Sequence, residues 1–164
     1  MLYNNLIKKE GNRVTSKTIE AENLQNIQVS AFAYELLREE VLPDLMGKEL
    51  PRILYWAGKN LARNYPLSSL EEIIAFFAQA GWGELSILEQ NRHAMMLQLT
   101  SPLIQERYRT RTRRNTTTYQ LEAGFLAQQI QQMQGVVTEA YEEQKKRSDK
   151  VYFIVKWDNK DVIG

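Results

Sequence analysis

Apolar residues follow two rhythms along this chain, one at every third or fourth position and one at every second, and the order of the rhythms predicts the fold. Val29, Phe32, Ala33, Leu36 and Leu37 recur at helical spacing until Pro43 and Gly47 interrupt them, which predicts a first helix. Leu50, Ile53, Leu54, Ala57, Leu61 and Ala62 form a second helical stripe, opened by Pro51 and closed near Asn64. Ser68 and Glu71 stand at capping-box spacing ahead of Leu70, Ile73, Ile74 and Phe77, so a third helix is expected over residues 69–80, stopped by Gly81. Gly58 lies on the second stripe. A glycine inside a helix costs about 1 kcal/mol relative to alanine, so its place there points to close approach by another backbone or bulky group, with packing preferred over a ligand.

After Gly81 the rhythm shifts to alternation. Leu85 and Ile87 share one face of a strand, and His93, Met95, Leu97 and Leu99 share a face of the next, with residues 89–92 as the hairpin connection. Residues 101–115 break the pattern and are expected to be an irregular connection. Tyr119, Ala123, Leu126, Ala127, Ile130 and Met133 then mark a fourth helix that stops at Gly135. Val137, Glu139 and Tyr141 share one strand face and Val151, Phe153, Val155 and Trp157 another, joined through residues 145–150. Three helices, a hairpin, a helix and a hairpin predict a two-layer α+β domain, an antiparallel sheet with about four helices packed on it. Residues 1–27 read as a loosely held arm, 28–158 as one domain and 159–164 as a short tail.

Composition changes this picture only by exclusion. The chain has 164 residues, 43% of them hydrophobic and 25% charged, which suits one globular domain. A net charge of +1 from 21 basic and 20 acidic residues offers no global attraction for nucleic acid, whose binding is therefore not expected. There is no cysteine, which removes disulfides and thiolate chemistry and fits a reducing compartment. The opening residues lack a secretory pattern and no apolar stretch reaches the roughly 18 residues that cross a bilayer, so a cytoplasmic location is expected.

Three stretches carry a family resemblance: AFAYELLREEVLPDLMG over 31–47, ILYWAGKNLAR over 53–63, and AGWGEL over 80–85 followed by LEAGFLAQQIQ over 121–131. Together they resemble the YslB-like family of bacterial proteins over roughly residues 29–158. That family is similar to the larger group holding 4-vinyl reductase domains, heme-NO-binding domains and TRAPP vesicle-tethering subunits, which implies an α+β ligand-binding fold of the NO-signalling and Golgi-transport kind, frequent dimerisation and, in several relatives, an apolar cavity. The cysteines that carry an acyl chain in TRAPP subunits, and those near the C-terminal hairpin of 4-vinyl reductase domains, are absent here. The heme ligand of the heme-NO proteins is a helical histidine, whereas His93 falls on an expected strand, so that role is not transferred.

Candidate chemistry is sparse. His93 is the only imidazole, and with no cysteine a zinc site lacks its usual ligands. No serine stands in a nucleophile elbow, and residues 81–83 do not form a phosphate loop. Glu139, Glu142 and Glu143 are split across a strand by alternation and read as a solvated face or turn. No catalytic residue, metal ligand or particular cofactor is therefore assigned. Arg107, Arg109, Arg111 and Arg113 stand at strand spacing, so an extended segment would aim four guanidinium groups one way, toward phosphates or, as preferred here, toward solvent and acidic neighbours. The glutamines from Gln128 to Gln134 leave the fourth helix poor in charge, compatible with a subunit interface.

These readings converge on a non-catalytic, homodimeric binding module that holds a hydrophobic small molecule noncovalently. Tyr55, Trp56, Gly58, Phe76, Phe77, Trp82 and Phe125 are its candidate pocket. The alternative is a protein-interaction or scaffold domain whose cavity is filled by its own side chains.

Overall fold

The computed structural model describes residues 18–110 and 117–164. A helical run begins with α1 (Ala31–Glu35), passes through a π-helical stretch (Leu36–Val41) and ends as α2 (Leu42–Met46). The Ser30 hydroxyl caps its start by accepting from the Phe32 amide at 3.2 Å. Gly47, at φ 54°, turns the chain out of α2. A short 3-10 turn then leads into α3 (Leu50–Asn64), which carries Pro51 in its first turn as expected.

The helix α4 (Leu70–Gln79) is capped one residue later than the spacing predicts. Ser69, not Ser68, accepts from the Glu72 amide at 3.2 Å, while the Glu72 carboxylate accepts from the Ser68 amide at 2.7 Å. Two hairpins follow the expected alternation. The first pairs β1 (Glu84–Gln90) with β2 (Ala94–Thr100), and the second pairs β3 (Val136–Gln144) with β4 (Val151–Val162). All pairings are antiparallel in the order β1-β2-β4-β3, so the hairpins join through β2 and β4, with Met95 opposite Val155 and Leu97 opposite Phe153. β4 runs on to Val162, opposite Val136, into the stretch expected as a tail.

Two further helices lie between the hairpins. The expected connection after Ser101 is instead α5 (Pro102–Thr110), with Ser101 accepting from the Ile104 amide at 3.0 Å. The helix α6 (Gln120–Gln134) ends at left-handed Gly135, as expected. It is buried on every side from Glu122 to Ile130, because it lies against β3 and β4 while α3 covers it from outside. Inward residues of all four strands, among them Leu85, Leu97, Leu99, Val151, Phe153 and Val155, close one core with Ile73, Phe77, Phe125 and Leu126. The result is an α+β domain with a four-stranded antiparallel open sheet. Among the described residues, no helix is long and apolar enough to cross a membrane.

The first helical run is the exception to this inward rule. Its spacing is helical, as expected, but its large apolar residues face solvent: Phe32 is 69% and Leu45 70% exposed, and Leu36, Leu37 and Val41 are exposed with them. Its polar side, made by Tyr34, Glu35, Arg38 and Glu39, is the side turned toward the domain.

Candidate functional site

The inward face of the first run meets α5 and the start of α6 in a cluster of paired charges. Arg38, 8% exposed, holds Glu122, 1% exposed, through Nη1 to Oε1 at 2.6 Å and Nη2 to Oε2 at 3.0 Å. Its Nη1 also donates to the Tyr34 hydroxyl at 2.9 Å and its Nη2 to the Thr118 carbonyl at 3.1 Å. The Nε of Arg38 makes no hydrogen bond and lies 3.6 Å from the Glu39 carboxylate. Arg107, from α5, donates through Nε to Glu35 at 2.9 Å and through Nη2 to the other oxygen of the same carboxylate. Both guanidinium groups lie near the Tyr119 ring, Arg38 at 5.2 Å and Arg107 at 5.7 Å from its centre.

Burial alone would lower the pKa of Arg38, but Glu122 and Tyr34 more than offset it and raise the value above that of an ordinary arginine. Arg107 is raised as well, with burial opposed by its hydrogen bonds to Glu35 and Tyr119. The Tyr119 phenol is pushed up by burial, against the pull of the two arginines. Apart from Arg38 Nε, these groups satisfy one another. Chemically the cluster is a clamp that fixes the first helical run to the domain by its charged side.

Glu142 contributes beside it. Rather than facing solvent as expected, its carboxylate reaches from β3 to the start of α6, accepting from the Tyr119 amide at 2.8 Å, the Thr118 hydroxyl at 3.0 Å and the Gln120 side chain at 3.0 Å. A carboxylate there neutralises orphan donors and opposes the positive end of the helix dipole. Glu139 and Glu143 do lie on the opposite, exposed face of β3.

The structure brings four of the seven residues proposed as a pocket together and sets Tyr55, Trp56 and Gly58 along α3. Phe76, Phe77, Trp82 and Phe125 pack on one another, with Phe76 and Phe125 stacked at 4.6 Å and Trp82 edge-on to Phe77 at 4.9 Å. Gly58 lies where α3 crosses α6: a methyl group there would meet the Leu121 carbonyl oxygen at 2.0 Å. Close backbone packing, the preferred expectation, is what its position shows. The Tyr55 hydroxyl accepts from the Ala140 amide at 3.3 Å, and burial raises its pKa. Trp56 is 59% exposed, with the Lys59 ammonium 5.3 Å from its ring.

Nor do Arg107 and Arg109 stand on an extended segment. Arg107 and Arg109 belong to α5, so their alternate spacing does not align them: Arg107 is buried on Glu35, whereas Arg109 is exposed and paired with Glu106. Arg111 and Arg113 lie outside the described residues. His93 sits in the turn before β2 and is exposed; its amide donates to Asn91 at 2.9 Å and its carbonyl accepts from the Trp157 amide at 3.0 Å. Gln128 and Gln129, expected at a subunit interface, are buried, and Gln129 bridges the Leu67 amide and the Tyr65 carbonyl. Among the described residues no group of three or more His, Asp or Glu is placed to hold a metal ion.

The sequence reading gave Arg38, Glu35, Glu39, Tyr119 and Glu122 no part in a site. Their signal was a carboxylate, Glu122, inside the apolar run LEAGFLA, since a charge there requires a partner.

A family model described as a protein of unknown function, DUF2507, matches residues 31–156. The uncharacterized protein YslB of Bacillus subtilis strain 168 is 46% identical over 142 residues, which span 87% of this chain and 94% of that protein. Among solved structures, a vinyl-4-reductase family protein from Methanocaldococcus jannaschii is similar with a TM-score of 0.62 at 20% identity, over 85% of this chain and 89% of that one. The phenol-responsive sensory domain of the transcription activator PoxR, solved with phenol, is similar with a TM-score of 0.54 at 14% identity, over 80% and 76% of the two chains. At such identities the two structures speak for the fold alone.

Proposed function

The chain belongs to the DUF2507 family, the YslB-like family its motifs resemble, and we propose that it is a non-catalytic, cytoplasmic interaction domain that self-associates through the outward face of residues 31–46. One observation carries this reading: the first helical run is inverted, its charges clamped inward and Phe32, Leu36, Leu37, Val41 and Leu45 turned outward. Helices on globular domains ordinarily bury their apolar stripe in the core. A contiguous stripe left outside marks a surface that another chain covers.

Self-pairing suits the residues. An antiparallel pair centred between Leu36 and Leu37 sets Val41 against Phe32, Glu40 against Ala33 and Asp44 against Val29 of the second copy, so like charges do not meet. Each large side chain fully covered contributes about 1.5–3 kcal/mol, and a two-fold contact uses every one of them twice.

Light scattering and sedimentation at micromolar concentration test the proposal. Wild type is expected as a dimer, and Leu36→Glu with Leu45→Glu as a monomer of unchanged circular dichroism, since neither side chain belongs to the core; its melting temperature should lose only the part that rises with protein concentration in wild type. A wild-type monomer across that range refutes self-association.

A further inference from the structure

A second concave surface lies away from the clamp, where residues 18–25 pass over the end of α3 and the start of the α3–α4 connection. The Tyr65 hydroxyl fastens this strap by accepting from the Ile19 amide at 2.7 Å and donating to the Ile19 carbonyl at 2.6 Å. Between strap and domain runs an open groove of about 680 Å³. Its floor is Tyr65, Leu67, Phe76 and Ala80, and its wall includes Ile19 and Leu24. The floor is firmly built: Phe76 stacks on core residue Phe125, and Gln129 holds both Tyr65 and Leu67 through their backbones.

We propose that this groove binds an uncharged, predominantly apolar small molecule. Its volume falls in the range of about 300–1,000 Å³ typical of small-molecule sites, and an aromatic and aliphatic floor with a few polar groups at the rim is their usual lining. The charges around the groove select the class. Among the described lining residues there is no lysine, arginine or histidine, while Glu20 and Glu22 stand on the strap, so a carboxylate or phosphate would meet repulsion with no compensating cation. Tyr65 and Phe76 present ring surface to a planar or alkyl group, and the Gln79 side chain offers a hydrogen bond at the edge. This site is separate from the face proposed for self-association and does not depend on it.

The test uses the full chain and the neutral fluorophore N-phenyl-1-naphthylamine. Saturable binding near one molecule per chain is expected, displaced by 1-decanol and at least tenfold less well by decanoate. Ala80→Trp, which fills the floor, is expected to weaken the fluorophore at least tenfold with helical circular dichroism and melting temperature retained. Gln79→Trp provides a second filling variant should the first fail to fold. Leu36→Glu is expected to leave affinity unchanged. The proposal is overturned by absence of saturable binding, by filled variants that bind as wild type does, by equal displacement with decanoate, or by loss of binding in Leu36→Glu, which would place the fluorophore on the first helical run.

Discussion

Arg38 grips Glu122 through two parallel contacts across 84 residues of sequence, and the pair decides which side of the first helical run faces the domain. Both side chains are nearly sealed from water. The attraction between them has to offset two desolvation costs, which succeeds only because Tyr34 and the Thr118 carbonyl take further donors of Arg38. A helix anchored in this way does not need its apolar residues for docking. They are left over for a second surface.

Breaking that pair from one side should therefore cost more than removing it. Glu122→Gln leaves the buried Arg38 charge with only the more distant Glu39 carboxylate, 3.6 Å away, with an expected loss of about 3 kcal/mol. Arg38→Met combined with Glu122→Leu removes both charges and should cost markedly less than the sum of the single changes. Urea unfolding of Arg38→Met, Glu122→Leu and the double gives the cycle. Additive losses would show that the two residues are not coupled as their geometry requires.

The helix crossing makes a sharper demand. Gly58 and Gly124 face each other's helices, and a methyl group at Gly124 would meet the Tyr55 carbonyl oxygen at 1.9 Å. Neither obstacle is a side chain that can rotate away, so α3 and α6 must separate to admit even an alanine. Gly58→Ala and Gly124→Ala are each expected to destabilise by about 2–4 kcal/mol, although alanine favours an isolated helix. Thermal melts check this, and a stabilised Gly58→Ala would contradict the close approach.

How far the fold was legible depends on what periodicity reports. Alternation at Met95, Leu97 and Leu99 and at Val151, Phe153 and Val155 gave both hairpins, because a strand half-buried in a sheet has only one way to satisfy that pattern. Gly135 and Gly58 were legible because each answers a backbone requirement. The first helical run was legible as a helix but not in its orientation: spacing identifies an apolar face, not what that face meets. The proposed pocket residues were ambiguous in the same way, since aromatic side chains at core spacing fill space as readily as they line it: Phe77 and Phe125 lie in the core, while Phe76 also borders a groove. α5 was missed because residues 101–115 carry no clear apolar period and the alternate arginines suited an extended connection, while Ser101 before Pro102 carried the stronger signal of a cap and a first helical turn.

The place of Arg107 and Arg109 on α5 yields a contrast that an extended segment would not. Arg107→Gln removes the charge that Glu35 holds at the half-buried edge of the clamp and is expected to cost about 3 kcal/mol. Arg109→Gln, two positions on, changes an exposed pair with Glu106 and is expected to leave the urea midpoint where it was. Equal effects at the two positions would mean that they share an environment, as a stripe on one strand face would.

The clamp also predicts how the protein responds to alkali. Burial holds the Tyr119 phenol above the ordinary value of roughly 10. A raised folded-state pKa means that the folded chain keeps a proton which the unfolded chain has released. The associated stability is whole below the ordinary value and is lost as pH rises through it toward the folded one. Tyr55 is raised by burial and acts with the same sign. Lys59 is lowered, by burial and then by Arg63, and acts oppositely, regaining stability as pH climbs toward its ordinary value. Tyr119→Phe removes one phenol from this balance while keeping the ring that Arg38 and Arg107 face. Its unfolding free energy, followed by urea titration at successive pH values above about 10, should therefore fall less steeply than that of wild type. Parallel profiles would show that Tyr119 ionises no differently in the folded and unfolded chains, and that the clamp does not shield it from water.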